Sequence, residues 1–272
     1  MPEFVRSLEN ARPPRFAVID FDGTLSLIRS GWLEIMVEMM VDYLRPLPGT
    51  TESPEALTKF VNDFVLNLNG RPTIYQMDYF VTTARERGAN PESPEYYTQK
   101  FLEALIGKSK QRIAGLQSGQ TPLDDLLVPG ARALLNDLKS RGVQMTLASG
   151  TAVVDVRREA AILQIDHYFE GRIFGPGEDS RDFSKMAVMR QILADAKAHG
   201  SELLALGDGF VEIENANELG GIAIGCATDE THRSGTVEPW KRDRLIRAGA
   251  HIIVPDYRNW HQVTARLFAN PA

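Results

Sequence analysis

Phe16-Ala17-Val18-Ile19-Asp20-Phe21-Asp22-Gly23-Thr24-Leu25 is the stretch whose reading decides the fold. Its apolar start predicts a strand over Phe16 to Asp20, which ends in two carboxylates spaced i, i+2 and followed by a glycine and a hydroxyl residue. An ionised carboxylate is costly to bury without partners. Other segments must therefore supply whatever neutralises Asp20 and Asp22.

Past Leu25 the pattern changes. Helical periodicity covers Gly31 to Arg45, where Glu34, Glu38 and Asp42 form one acidic stripe on a cylinder that includes Met36, Met39 and Met40. That pattern fits a helix buried on most sides or, alternatively, a dimer or hinge face; Pro46 and Pro48 stop it. Helices resume over Pro54 to Leu68, Thr73 to Arg87 and Ser93 to Ile106, separated by Gly70-Arg71-Pro72 and Gly88-Ala89-Asn90-Pro91. The polar segment Gln117 to Thr121 reads as a link back to the first unit.

From Pro129 strands and helices alternate, the pattern of a parallel sheet with helices on both faces. Helix Gly130 to Arg141 closes at Gly142; strand Val143 to Ala148 runs into Ser149-Gly150-Thr151, where another helix opens. A short strand over Gly171 to Phe174, helix Ser184 to His199, and strands Leu203 to Leu206, Gly221 to Gly225 and His251 to Val254 complete the set. The fold class is α/β, with a helical segment interrupting the sheet domain between its first and second strands.

With 272 residues, 43% apolar and 24% charged, the composition is that of a soluble globular protein. The formal charge of −6 argues against a nucleic-acid partner. Cys226 is the single cysteine, which excludes an intrachain disulfide and suits a reducing compartment; its apolar neighbours make it a small core residue. Met1 to Arg15 carries too many charges and prolines for a signal peptide, and Trp32 to Leu44 is too short and too acidic to span a bilayer. The expectation is a cytoplasmic protein with no membrane association. The five histidines show no metal-ligand spacing.

In open parallel sheets ligands sit beyond the carboxyl ends of the strands. Three strands end there in polar groups, at Asp20, at Ser149 and at Gly207-Asp208. Such a set suits phosphate-ester cleavage, with Asp20 as nucleophile and Asp22 as general acid/base. Carboxylate attack on a phosphate dianion needs an intervening cation, and Mg²⁺ takes oxygen ligands. Asp20 and Asp208 are the carboxylate candidates and the Asp22 carbonyl a third; Glu212, at i+4 from Asp208, is a direct ligand or holds a metal-bound water. Thr24 and Ser149 offer hydroxyls to the phosphate, Gly23 and Gly150 offer close backbone N–H groups, and Lys185 balances the charge. Arg29 and Trp32, and Arg71, Thr73, Tyr75 and Gln76, are candidate substrate contacts, or else core and solvated positions.

Together these residues resemble the haloacid dehalogenase superfamily of phosphotransferases. Asp20-Phe21-Asp22-Gly23-Thr24 is similar to its first motif, Ser149 in Leu147-Ala148-Ser149-Gly150-Thr151 to its second, Lys185 to its third, and Gly207-Asp208-Gly209 with Glu212 to its fourth. All four come in the family's order, and Val128-Pro129-Gly130 before motif two also fits. The resemblance implies a Rossmann-like parallel-sheet core from residues 1–26 and 121–272, an all-helical cap domain from 27–120, and Mg²⁺-dependent phosphoryl transfer through Asp20. The phosphoglycolate phosphatase and β-phosphoglucomutase relatives fit best, and Asp22 argues against dehalogenase chemistry. Two positions depart from the pattern: Glu212 stands where Asp is usual, and Met186 follows Lys185 where Pro is frequent, which leaves Lys197 as a second candidate for the lysine. The expected activity is a phosphatase acting on a small phosphorylated metabolite, such as a sugar phosphate. The alternatives are a phosphomutase or a non-catalytic binding protein, the latter disfavoured by three converging carboxylates.

Overall fold

The computed structural model describes residues 1–8, 12–68, 73–177 and 183–269. Its contacts divide the chain into two compact units, Met1–Ser30 with Arg112–Ala272, and Gly31–Gln111. The breaker Gly70-Arg71-Pro72, and with it the candidate Arg71, lies outside the described residues.

Among the described residues the first unit is built on seven strands, β1 (Glu3–Phe4), β2 (Phe16–Ile19), β3 (Gln144–Ala148), β4 (Ile173–Phe174), β5 (Leu203–Gly207), β6 (Ile222–Cys226) and β7 (Ile252–Val254). They form one sheet in the order β1-β7-β6-β5-β2-β3-β4. Every pairing is parallel except β1 with β7, an antiparallel edge that the alternating pattern from Pro129 onward does not announce.

Side chains alternate across the sheet. Ala17, Ile19, Met145, Leu147, Leu204, Leu206, Ile222 and Ile224 point into one buried cluster, and Phe16, Val18, Ala148, Leu203, Ala205 and Ala223 into the other. Among the described residues, the second unit's region has four helices, α1 (Trp32–Leu44), α2 (Pro54–Asn67), α3 (Thr73–Glu86) and α4 (Pro94–Gln117), the last running past the unit boundary. The sheet is covered by α5 (Ala131–Ser140), α6 (Val153–Ile162), α7 (Lys185–Ala196), α8 (Phe210–Glu218), α9 (Pro239–Ala248) and α10 (Trp260–Leu267). Helices α5, α6 and α10 contribute Leu134, Val156 and Val263 to the first cluster; α7, α8 and α9 contribute Met189, Ile213 and Leu245 to the second. This is the doubly covered α/β sheet that the alternation predicts.

Register places the polar strand ends together. β2 sits between β3 and β5, with Ile19 level with Leu147 on one side and Leu206 on the other. Asp20 therefore lies level with Ala148 and Gly207, and Ser149 and Asp208 follow one residue further. After β2 the chain builds outward on one side through β3 and β4 and then on the other from β5, so β2 is the topological switch point.

The second unit has its own core, with Met36, Met40 and Leu44 of α1, Leu57 and Val65 of α2, Met77 and Phe80 of α3, and Tyr97 and Phe101 of α4. Tyr43, Phe80 and Tyr97 pack edge to face at 4.9–5.6 Å between ring centroids. Glu34, Glu38 and Asp42 are exposed, so the acidic stripe of α1 faces solvent. Among the described residues no helix is long and apolar enough to cross a membrane.

Candidate active site

The Asp20 N–H donates to the Leu206 carbonyl at 2.9 Å, extending the ladder one residue beyond β2. The chain then folds into a tight turn, in which Leu25 and Ser26 N–H both donate to the Phe21 carbonyl and Gly23 N–H donates to Ser26. Gly23 has φ +71°, and a Cβ there would lie 2.4 Å from Asp208 Oδ2 and 3.0 Å from Glu230 Oε1. Conformation and contact both demand glycine. Gly23→Ala is expected to cost about 1–3 kcal/mol in urea unfolding and to lower activity by displacing Asp208. An unchanged unfolding midpoint would show that the turn tolerates a side chain.

Thr24 is fully buried and ties two motifs together: its Oγ1 accepts the Asp208 N–H at 3.0 Å, while its carbonyl accepts the Tyr257 hydroxyl at 2.9 Å. Asp22 faces the loop after β3. Its Oδ2 accepts the Thr151 hydroxyl at 2.7 Å, with the Ser149 hydroxyl at 3.5 Å, and Ser149 Oγ in turn accepts the Thr151 N–H at 3.0 Å. Gly150 is exposed, and a Cβ there would meet nothing within 4 Å, so a ligand can approach its backbone closely.

Two lysines, one half-buried and one buried, organise the carboxylates. Lys185, the first residue of α7, donates to Asp20 Oδ1 at 2.7 Å and to Glu212 Oε1. Lys197 lies exposed in the left-handed cap at the other end of that helix. Lys241 of α9 donates to Asp208 Oδ2 at 3.0 Å and to Glu230. Lys241 and Glu230 are not among the residues the sequence singles out. Only the 3% exposure of Lys241 betrays it, since a lysine that buried needs acid partners.

Burial pushes the Asp20 carboxyl up to about 8; Lys185 pulls it down, and the neighbouring charges of Glu212 and Asp208 push it further up. Burial also raises Asp22 to about 6, against the Thr151 hydrogen bond and Arg29. Lys185 stays above the ordinary lysine range although burial opposes its charge, because Asp20 and Glu212 hold the proton there.

The remaining candidates separate. The Arg29 guanidinium lies on Glu159 and near Asp22. Trp32 is half-buried against the helical core, Thr73 is half-buried, Tyr75 is exposed, and the buried Gln76 gives its amide to the Val65 carbonyl at 2.9 Å.

Residues 15–220 match the family model described as haloacid dehalogenase-like hydrolase. The chain belongs to that family. No curated protein matches it in sequence. Solved haloacid dehalogenase-like structures share its fold at low identity. A predicted phosphoglycolate phosphatase from Haemophilus somnus 129PT is 15% identical with TM-score 0.60, over 93% of this chain and 98% of that one. A haloacid dehalogenase-like protein of unknown function from Agrobacterium tumefaciens C58 is 14% identical with TM-score 0.64, over 94% and 99%. A HAD family hydrolase from Deinococcus radiodurans R1, solved with bound phosphate and sodium, is 14% identical with TM-score 0.59, over 96% and 99%. Lys241 and Glu230 fall beyond the matched residues of the haloacid dehalogenase-like model, so the second lysine frame lies outside the region that identifies the family.

The donor set fits a hard divalent cation. Around the strand ends, among the described residues, four carboxylates, Asp20, Asp208, Glu212 and Glu230, outnumber the two ammonium groups that bond them, Lys185 and Lys241. Glu212 Oε2 and Asp22 Oδ1 are buried without a hydrogen-bond partner among the described residues. Among the described residues no three His, Cys, Asp or Glu side chains form a ready-made cage. Mg²⁺ does not require one, because it keeps several waters and takes one or two carboxylates.

Proposed function

We propose that this haloacid dehalogenase-like hydrolase is a Mg²⁺-dependent phosphatase that cleaves a small phosphate monoester through an aspartyl-phosphate on Asp20. The observation that carries the reading is the pair of carboxyls in one turn with opposed surroundings: Asp20 held by Lys185, and Asp22 held by the Thr151 hydroxyl. Asp20 attacks phosphorus, the ester P–O bond breaks, and Asp22 gives its proton to the leaving oxygen. Asp22, now ionised, takes a proton from water as that water attacks the phosphoryl group, which releases phosphate and regenerates Asp20. An Asp22 carboxyl raised to about 6 is poised for both tasks near neutral pH.

Asp20 and Asp208, with the Asp22 carbonyl, would hold Mg²⁺; Glu212, kept by Lys185, would bear on it through water. The ion would offset the repulsion between Asp20 and the phosphate and favour ionised Asp20 at neutral pH. Gly23, Ser149 and Gly150, with Thr24 bracing the turn, would frame the phosphate, and Lys185 would balance the charge that Asp20 shares with it.

The test is phosphate release from p-nitrophenyl phosphate and from a panel of phosphorylated metabolites. Release is expected with Mg²⁺ and is abolished by EDTA. Turnover that persists unchanged in EDTA would overturn the metal assignment, and no release from any ester would overturn the phosphatase. An isomerised sugar phosphate with little free phosphate would show that the phosphoryl group returns to a sugar hydroxyl instead of to water.

A further inference from the structure

Asp22 is gripped unevenly. Its Oδ2 accepts the Thr151 hydroxyl, whereas its buried Oδ1 accepts no hydrogen bond from the described residues, and a cation facing Oδ1 is Arg29, with Nε 3.8 Å away. That guanidinium is itself fixed from behind. Nε donates to Glu159 Oε2 at 3.3 Å, Nη2 donates to Glu159 Oε1 at 2.7 Å, and Nη2 lies 3.5 Å from Asp155 Oδ2. Arg158 completes the cluster, with Nη2 2.8 Å from Asp155 Oδ1 and 3.6 Å from Glu159 Oε1.

Glu159 is the unusual member. It has no exposed surface, yet it sits in mid-helix in α6, where an apolar residue of similar volume would serve packing at no electrostatic cost. Asp155 and Glu159 stand at i, i+4 on α6, which begins two residues past Thr151. One loop and its helix thus control both ends of Asp22: the Thr151 hydroxyl fixes Oδ2, and Glu159 fixes the arginine that faces Oδ1.

We infer that Arg29, clamped by Glu159, is a positioning residue for Asp22, holding its carboxyl so that Oδ1 is the oxygen that carries the proton to and from the reacting group. The inference rests on the proton-carrier role proposed above for Asp22. At 3.8 Å the guanidinium is too far to occupy an Oδ1 lone pair with a hydrogen bond, so it orients the group and leaves that site open to a proton. The two carboxylates behind Arg29 keep its charge committed to the core, away from service as a general anion-binding arginine.

Proton donation matters more as the leaving group worsens, and this separates the role from mere support. The measurement is kcat/KM for phenyl phosphate and for p-nitrophenyl phosphate in the wild type, in the paired variant Arg29→Met with Glu159→Met, and in Asp22→Asn. The paired variant removes both charges together, so neither is left buried alone. It is expected to lose roughly tenfold more on phenyl phosphate than on the nitrophenyl ester, and adding Asp22→Asn to it should steepen that selectivity no further. Arg29→Lys, which keeps a charge without the fork, should fall between, and it carries the test if the paired variant does not fold. An equal loss on both esters in the Arg29 variants, while Asp22→Asn is selective, overturns the inference alone. An equal loss in Asp22→Asn overturns the proton-carrier reading beneath it.

Discussion

Asp20→Asn is expected to lower kcat on every phosphate ester by about 10⁴-fold or more and, at the same time, to make the metal-free protein more stable above pH 8. The first effect follows from removing the attacking oxygen. The second follows from the same burial that makes the site. Burial and the charges of Glu212 and Asp208 penalise ionised Asp20 by more than Lys185 returns, which is why its carboxyl titrates at about 8 instead of 3.8. The folded chain then keeps a proton that the unfolded chain releases, so the Asp20 contribution to stability is complete below about pH 4 and is lost as pH rises through about 8. Asn has no proton to lose, and its contribution is flat. Thermal unfolding in EDTA across that range should show the wild-type Tm falling relative to the variant, by about 2–4 °C for each ~1 kcal/mol of penalty in a chain of this size. Parallel Tm curves would place the ionisation penalty elsewhere, and normal turnover in the variant would remove Asp20 from the nucleophile role.

The trade between stability and charge explains which parts of the site the sequence makes legible. Asp20 and Asp22 are conspicuous because they interrupt an apolar strand, and Asp208 because it follows another; local contrast is enough for both. The sheet is legible for the same reason, since its longer buried strands are short apolar runs and helices α5 to α8 open near a glycine or a hydroxyl residue. Helices α9 and α10, capped by Glu238 and Asn259, carry no such signal at their caps and are not expected from the sequence. Lys241 offers no such contrast. Nothing separates it in sequence from Arg242, Asp243 and Arg244, and its partner Glu230 sits eleven residues earlier in a polar loop. The Arg29–Glu159 pair spans 130 positions and joins a turn to the buried side of a helix, so only the fold can bring the two together. Element ends follow the same logic. The expected helix from Ser93 to Ile106 continues as α4 to Gln117, because Gly107, Lys108 and Lys110 weaken the apolar periodicity without breaking the backbone hydrogen bonds. Strand β1 is two residues long and antiparallel, too short to leave a period at all.

Lys185→Met is expected to destabilise the protein by about 3–5 kcal/mol at pH 8 and to shift its activity toward alkaline pH. Lys185 is the ammonium that both Asp20 and Glu212 hold, and its removal leaves two carboxyls buried at the end of the sheet without their counter-ion. Lys185 keeps its charge throughout the neutral range, since its own pKa is raised in the fold, so its stabilisation is lost only under strongly alkaline conditions. The deficit in the variant therefore tracks the carboxyls: largest where Asp20 is ionised, and shrinking as acid protonates it. Because Lys185 holds the Asp20 carboxyl down, its loss lets that carboxyl keep its proton to higher pH, which depletes the nucleophile at neutral pH and moves the rate profile upward. Combining Lys185→Met with Glu212→Gln removes one of the two stranded charges. That double variant should recover much of the stability in urea unfolding and little of the activity, because the charge balance around Asp20 and its phosphate is still missing. Recovery of both together would reduce Lys185 to a structural counter-ion for Glu212; recovery of stability alone leaves Asp20 as the residue Lys185 is there to serve.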